Sequence, residues 1–169
     1  IGGGMDDCDL GPIASSEQFE RVRSFLDGAS DQGVRVLFGG DRPSYLDRGY
    51  FIEPTLIECP DLGQPIAREE VFGPVATILP FKSEDEVIRM CNSTKYGLSA
   101  SVFSKNISKA HRVAAKIDSG IIWINSWLLR DLRVPFGGMK HSGVGREGGY
   151  NSLNFFTESK NVCVKIEKG

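Results

Sequence analysis

Between Val75 and Asn125 the sequence alternates short apolar runs with capped, amphipathic helical stretches, and this constrains the fold more than any other feature. The apolar runs are VATILPF, SASVF and IIWIN. Between the first two, Ser83 precedes Glu86 by one helical turn, a capping box, and Val87, Ile88 and Cys91 follow at helical spacing. Between the second and third, Ala110, Val113, Ala114 and Ile117 share a helical face until Gly120 stops the run. Short apolar strands joined by helical crossovers pair in parallel, so the expected class is α/β, a parallel βαβαβ sheet with flanking helices. Ligands of such sheets bind beyond the carboxyl ends of the strands, which directs attention to the loop after Asn125.

The flanking segments extend this reading. Ser15 begins a second capping box with Gln18, and Phe19, Val22, Leu26 and Ala29 recur at helical spacing until Gly33. VRVLFGG predicts a short strand closed by glycines, and DRPSYLDRGYFIEPTLIE a loop running into extended chain around Pro54. Residues 124–152, INSWLLRDLRVPFGGMKHSGVGREGGYNS, form a long glycine-rich loop carrying Trp127 and two arginines flanking Asp131. Loops of that length in compact domains are more often functional or mobile than merely connective. LNFFTESKNVCVKI then predicts a return to extended chain, with Val162, Val164 and Ile166 on one face. So apolar a terminal strand calls for an edge to pair with, in this chain or another subunit's.

Composition narrows the partners. A formal net charge of −2 and a pI near 5.7 give no basic footprint for a nucleic acid or an anionic membrane. No apolar run approaches the roughly 20 residues of a membrane span, and IGGGMDDCDLGP lacks the basic flank and apolar core of a signal peptide, so a cytoplasmic setting is expected. Cys8, Cys59, Cys91 and Cys163 are scattered, with no CxxC pair and no histidine at metal-ligand spacing. They are expected to be reduced thiols acting as small hydrophobes, and no metal site is expected. His111 and His141 lie too far apart in sequence for a Cys-His couple to be read from spacing. Gly143, Gly145 and Gly148 satisfy G-x-G-x-x-G, but they follow a loop rather than a strand, and no acidic residue closes a second strand downstream. Glycines permitting tight bends describe them better than a phosphate site.

The segment Arg68 to Leu79, REEVFGPVATIL, places two adjacent carboxylates before an apolar strand. Charge is costly to bury and a strand needs no acidic pair at its entrance. On the residues alone, Glu70 could cap a local turn while Phe72 joins the core. Arg130, Asp131 and Arg133 likewise read as a solvated cluster.

EEVFGPV, NSTKYGLSASVF, SGIIWIN and PFGGMKHSGVGREGG occur in one order and at spacings that resemble the C-terminal third of the NAD(P)-dependent aldehyde dehydrogenases. The resemblance runs from about Gly11-Pro12 to Ile166. Within that family, INSWLLRDLR and FFTESKNVCVKI look most like the 2-hydroxymuconic and 2-aminomuconic semialdehyde dehydrogenases. The resemblance implies that residues 1–153 are the C-terminal part of the catalytic domain and 154–169 a terminal oligomerisation strand that builds a homo-oligomer. It implies that Glu70 accepts hydrogen bonds from the nicotinamide ribose and that Phe72 confines the nicotinamide. NAD is the implied cofactor, with NADP as the alternative. Substrate contacts would come from Asn125, Leu129, Arg130 and Phe136, and an arginine at position 130 would suit an aldehyde ending in a carboxylate. The resemblance places no catalytic residue in this chain: the nucleophilic cysteine, the water-activating glutamate and the dinucleotide domain all fall upstream of Ile1, and Cys8 matches a variable surface position. A non-enzymatic assembly protein retaining this half of the fold is the alternative.

Overall fold

The computed structural model describes residues 1–3, 7–30 and 34–167. These form two compact units, Ile1–Lys82 and Ser83–Gly169. The expected division at 153/154 falls inside a helix, Gly149–Phe156.

In the first unit, α1 (Ser16–Ser30) starts where the capping box predicts, with the Gln18 backbone N–H donating to Ser15 Oγ at 3.2 Å. Its expected stop at Gly33 lies outside the described residues. Val22, Leu26 and Ala29 are buried and pack with Ile52, Ile57, Cys59, Ile66 and Val71, the core of the unit. Strands β1 (Arg35–Phe38), β2 (Thr55–Glu58) and β3 (Val75–Ile78) form one sheet in the order β1-β2-β3. β1 runs antiparallel to β2, and β2 runs parallel to β3 in register from Thr55↔Val75 to Glu58↔Ile78. A single helical turn, α2 (Pro65–Arg68), makes the crossover, with proline at its start. Four residues give no readable period, so the sequence does not announce it.

In the second unit, α3 (Glu84–Asn92) is capped by Ser83 Oγ, which accepts from Glu86 N–H at 3.2 Å. β4 (Ser99–Val102) and β5 (Ile121–Ile124) pair in parallel, joined through α4 (Ile107–Ala114). The α/β class and the parallel pairing therefore hold, but the strands are shared between two sheets. VATILPF supplies β3, whose partner is β2, and the pairing is prolonged by Thr55 N–H to Pro74 O and Cys59 N–H to Ile78 O.

Three expectations are corrected in this unit. Cys91, expected on the buried face of α3, is exposed. Cys91 shares the Ile88 face on the last turn of α3, where cover is incomplete, though burial still pushes its thiol up. α4 ends at Ala114, before Ile117 and Gly120. The Asn92 side chain clamps the exit, donating to Lys116 O at 2.7 Å and accepting from Asp118 N–H at 2.8 Å. Gly120 serves a different purpose, because a Cβ there would overlap the carbonyl oxygen of Gly137. Finally, LNFF is helical, lying in α5 (Gly149–Phe156). Gly148 and Gly149 turn the chain at φ 88° and 50°, and Gly148 N–H donates to Ser152 Oγ at 2.8 Å, which closes the first turn. Beyond α5 the tail is exposed through residue 167, and among the described residues it forms no strand and joins no sheet. No helix among the described residues is long and apolar enough to cross a membrane.

Candidate functional site

In the first unit, the chain leaves α2 with Glu69 N–H bonded to Pro65 O and must enter β3 at Val75. Val71 turns inward and joins the core. Phe72 turns outward: its φ is +56° and it is 73% exposed. A bulky residue in the left-handed region costs on the order of 1–3 kcal/mol and persists only where its surroundings hold it. Those surroundings come from α1. Gln18 Nε2 donates to Val71 O at 3.0 Å and to Phe72 O at 2.9 Å, and Arg21 Nη2 donates to Glu70 O at 2.7 Å. Gly73 lies so close to the helix that a Cβ would sit 2.7 Å from Val22 Cγ2. A core role for Phe72 is thereby excluded. The turn presents an exposed aromatic ring beside the exposed Glu70, an arrangement able to pair a hydroxyl-accepting carboxylate with an apolar face.

In the second unit, the loop after β5 leaves through two non-glycine residues in the left-handed region, Asn125 at φ 52° and Leu128 at φ 55°. Asn125 Oδ1 accepts from Ser104 N–H at 2.8 Å while Nδ2 donates to Ser104 O at 2.9 Å. Both ends of its amide thus tie the exit of β4 to that of β5. Trp123 Nε1 donates to Leu129 O at 2.7 Å, and Trp127, 63% exposed, meets Trp123 edge-on.

Leu129, Arg130 and Phe136 come together. The Arg130 guanidinium lies 4.1 Å from the centre of the Phe136 ring, and its Nη2 donates to Glu147 Oε1 at 2.7 Å. Phe136 and Glu147 are themselves joined by reciprocal backbone hydrogen bonds of 2.8 Å. Arg130 is therefore held from both sides of one short bridge. An open cleft of about 340 Å³ borders Arg130, Phe136 and Glu147, and a second, of about 670 Å³, borders Leu129 and Arg130. Arg133 is employed differently. It clasps both oxygens of Asp131, and these hydrogen bonds, followed by one from the Arg133 backbone N–H, hold the Asp131 carboxyl below the usual aspartate range. The cluster expected from sequence thus divides into one solvated pair and one stacked, anchored arginine.

The glycine-rich segment is fixed by NSTKYG. Met139 N–H donates to Gly97 O at 2.8 Å, His141 N–H to Lys95 O at 2.9 Å, and Lys140 Nζ to Thr94 O at 2.8 Å, while Gly97 N–H donates to Ser142 Oγ at 2.9 Å. Gly143, Gly145 and Gly148 all have positive φ, the bends read for them from sequence. The four cysteines are unpaired, and burial followed by the charge of Asp61 pushes the Cys59 thiol up, away from nucleophilic thiolate. No group of metal-ligating side chains occurs among the described residues. Sequence reasoning missed Glu147, Gln18 and Arg21. For Gln18 the capping position already accounted for the residue, and no local signal told that its side chain reaches more than fifty positions along the chain.

Residues 1–162 match the aldehyde dehydrogenase family. The chain is 47% identical over 165 residues to a 2-aminomuconic 6-semialdehyde dehydrogenase of a Pseudomonas species, covering 96% of this chain and 34% of that protein. It is 45% identical over 162 residues to the 2-hydroxymuconic semialdehyde dehydrogenase of Pseudomonas sp. strain CF600, covering 94% and 33%. Among solved structures, the NAD+ complex of an aldehyde dehydrogenase from Bacillus cereus superposes with a TM-score of 0.88 at 42% identity, over 98% of this chain and 34% of that one. The chain spans about a third of the length of the curated relatives it matches.

Proposed function

The chain belongs to the aldehyde dehydrogenase family, and from that premise we propose that it forms the C-terminal part of the catalytic domain of an NAD-dependent enzyme that oxidises a carboxylate-bearing, muconic-type semialdehyde to the acid. NADP is the alternative cofactor, and the proposed setting is cytoplasmic. The enzyme would assemble as a homo-oligomer through the C-terminal tail.

Arg130 carries the substrate half of this reading. A guanidinium stacked on an aromatic ring is oriented before any ligand arrives, and Glu147 engages one N–H of the five it offers. The remaining planar donors suit the distal carboxylate of an aldehyde, and the half-buried Phe136 supplies the apolar wall beside it. The fit to named semialdehyde dehydrogenases among the relatives supports the same substrate class. Leu129 would line the approach, while Asn125 would act through the backbone it fixes.

Glu70 and Phe72 fit the dinucleotide. An ionised carboxylate can accept from both hydroxyls of a ribose, and an exposed ring held in a strained backbone offers a flat apolar stop without competing hydrogen bonds. Bound NAD would supply the hydride acceptor. The nucleophile and the water-activating group would come from outside this chain, whose buried Cys59 is chemically unsuited to the first task.

The test is reconstitution. The chain mixed with NAD+ and 2-hydroxymuconic semialdehyde should yield no NADH, and the same chain joined to an upstream segment carrying the nucleophilic cysteine should yield it. Activity in neither preparation would favour the non-enzymatic assembly protein. Activity of the isolated chain that disappears on mutating any of its own cysteines would overturn the assignment of the nucleophile.

A further inference from the structure

We propose that Gln18 and Arg21 are positioning residues for the dinucleotide, acting through the Phe72 turn that they hold. The inference rests on the reading of Glu70 and Phe72 as cofactor contacts. Residues 69–74 belong to no helix or strand, and within the turn the carbonyls of Gly73 and Pro74 accept backbone N–H groups, from Val75 and Thr55. Three consecutive carbonyls, those of Glu70, Val71 and Phe72, are instead satisfied by two side chains of α1. Gln18 and Arg21 are three residues apart, which places them on one face of the helix. Val22 completes the contact by excluding any side chain at Gly73.

The clamp decides direction as well as stability. Val71 is buried and its neighbour Phe72 projects into solvent with a left-handed backbone, and that backbone sets the direction in which the ring and the chain toward β3 leave the turn. Gln18 grips the carbonyls of both residues. Without its amide donors, the Phe72 backbone can relax toward ordinary φ, carrying the ring and the neighbouring Glu70 away from their present directions. A helix that merely stabilised the unit would need only its apolar face, Val22, Leu26 and Ala29, and that face is separately accounted for in the core.

Amide exchange distinguishes a clamp from general stability. In the chain as it stands, Gln18→Leu, which keeps bulk and removes the donors, should raise exchange of residues 69–75 about tenfold above that of β2 and β3. Leu26→Ala, which opens the core on the same helix, should raise exchange evenly through the unit. In the polypeptide extended to carry the nucleophile, Gln18→Leu should weaken NAD+ binding about tenfold and slow hydride transfer in the same sense as Glu70→Gln, with the KM for aldehyde held, and Gln18→Lys, which restores donors, should recover most of both. Even exchange in Gln18→Leu, or full NAD+ affinity in Gln18→Leu where Glu70→Gln has lost it, overturns the proposal. A turn that exchanges faster while both variants keep NAD+ affinity overturns the cofactor reading of Glu70 and leaves the clamp standing.

Discussion

Arg130 and Arg133 stand three positions apart in one loop, yet their surroundings assign them different work. Arg133 is almost fully solvated and neutralised by its neighbour Asp131, so Arg133→Ala should change stability and turnover by less than about 0.5 kcal/mol. Arg130→Ala in a full-length enzyme should cost on the order of 2–5 kcal/mol in kcat/KM for a carboxylate-bearing aldehyde, whose charge would enter the cleft unpaired. A neutral aldehyde of similar length should lose little. The measurement is the ratio of the two kcat/KM values, and an equal loss for both substrates would leave Arg130 as a brace for the Phe136–Glu147 bridge. Glu70 makes a parallel case on the cofactor side. Glu70→Gln keeps the shape and removes the charge, which for a charge-assisted hydrogen bond is worth about 1–3 kcal/mol. NAD+ affinity and hydride transfer should fall while the KM for aldehyde holds. Unchanged NAD+ titration and unchanged turnover would reduce Glu70 to a turn residue.

Between elements, α3 and α4 are bound by one carboxylate: both oxygens of Glu84 accept from Arg112, at 2.9 and 2.7 Å. The Arg112 hydrogen bonds, with smaller contributions from its charge and that of Lys109, hold the Glu84 carboxyl below the usual glutamate range. A carboxyl depressed by folding contributes stability that is complete above its unfolded value of about 4.3 and is lost as pH falls through the folded one. Urea unfolding of Glu84→Gln should therefore match the parent at the acid end and fall below it toward neutrality, and parallel curves would show the pair to be inert. Asn106→Ala removes the α4 cap to Lys109 N–H and should cost about 1 kcal/mol by the same assay. The caps of α1 and α3 were legible in the sequence because Ser15 and Ser83 act within one turn of their own position, whereas the Asn106 cap was not read there. The start of α1, the start of α3 and the positions of β1, β3, β4 and β5 were readable because periodicity and capping are local, while β2 was read only as extended chain around Pro54. Strand partnership was not, because VATILPF fits either neighbour by pattern and long-range pairing with β2 decides. Neither was the end of α4, which a side chain from α3 sets, nor the helical state of LNFF, which two left-handed glycines initiate. At the candidate site, Arg130 and Phe136 were named through the family resemblance, since on the residues alone Arg130 read as part of a solvated cluster. Their common dependence on Glu147 is a tertiary fact that no spacing encodes.

At the scale of the whole chain, the tail poses the main energetic question. Val162, Val164 and Ile166 are 74–87% exposed and alternate in sequence, so that on pairing as a strand they would form one apolar stripe. Its backbone joins no sheet among the described residues, and on the proposed reading it would pair as a strand with an edge on a second copy. Magnitudes limit what that strand can do alone. Burying three branched side chains contributes roughly 1.5–3 kcal/mol each, about 5–9 kcal/mol together. Association itself costs an estimated 4–15 kcal/mol in lost freedom, so the stripe brings two chains to the margin of assembly and further surface must complete it. Phe155 and Phe156 on α5, each about 80% exposed, stand immediately before the tail and would extend the proposed contact. Truncation after Lys160 should consequently weaken self-association by a hundredfold or more without unfolding either unit, since a loss near 3 kcal/mol corresponds to about that factor. Val164→Asp should act in the same direction, because it places a charge in the centre of the stripe. Sedimentation equilibrium across a concentration series, with circular dichroism as the check on folding, measures both. A parent chain that is monomeric at every concentration, or a dimer indifferent to both changes, would remove the tail from the interface and leave its alternation without a use.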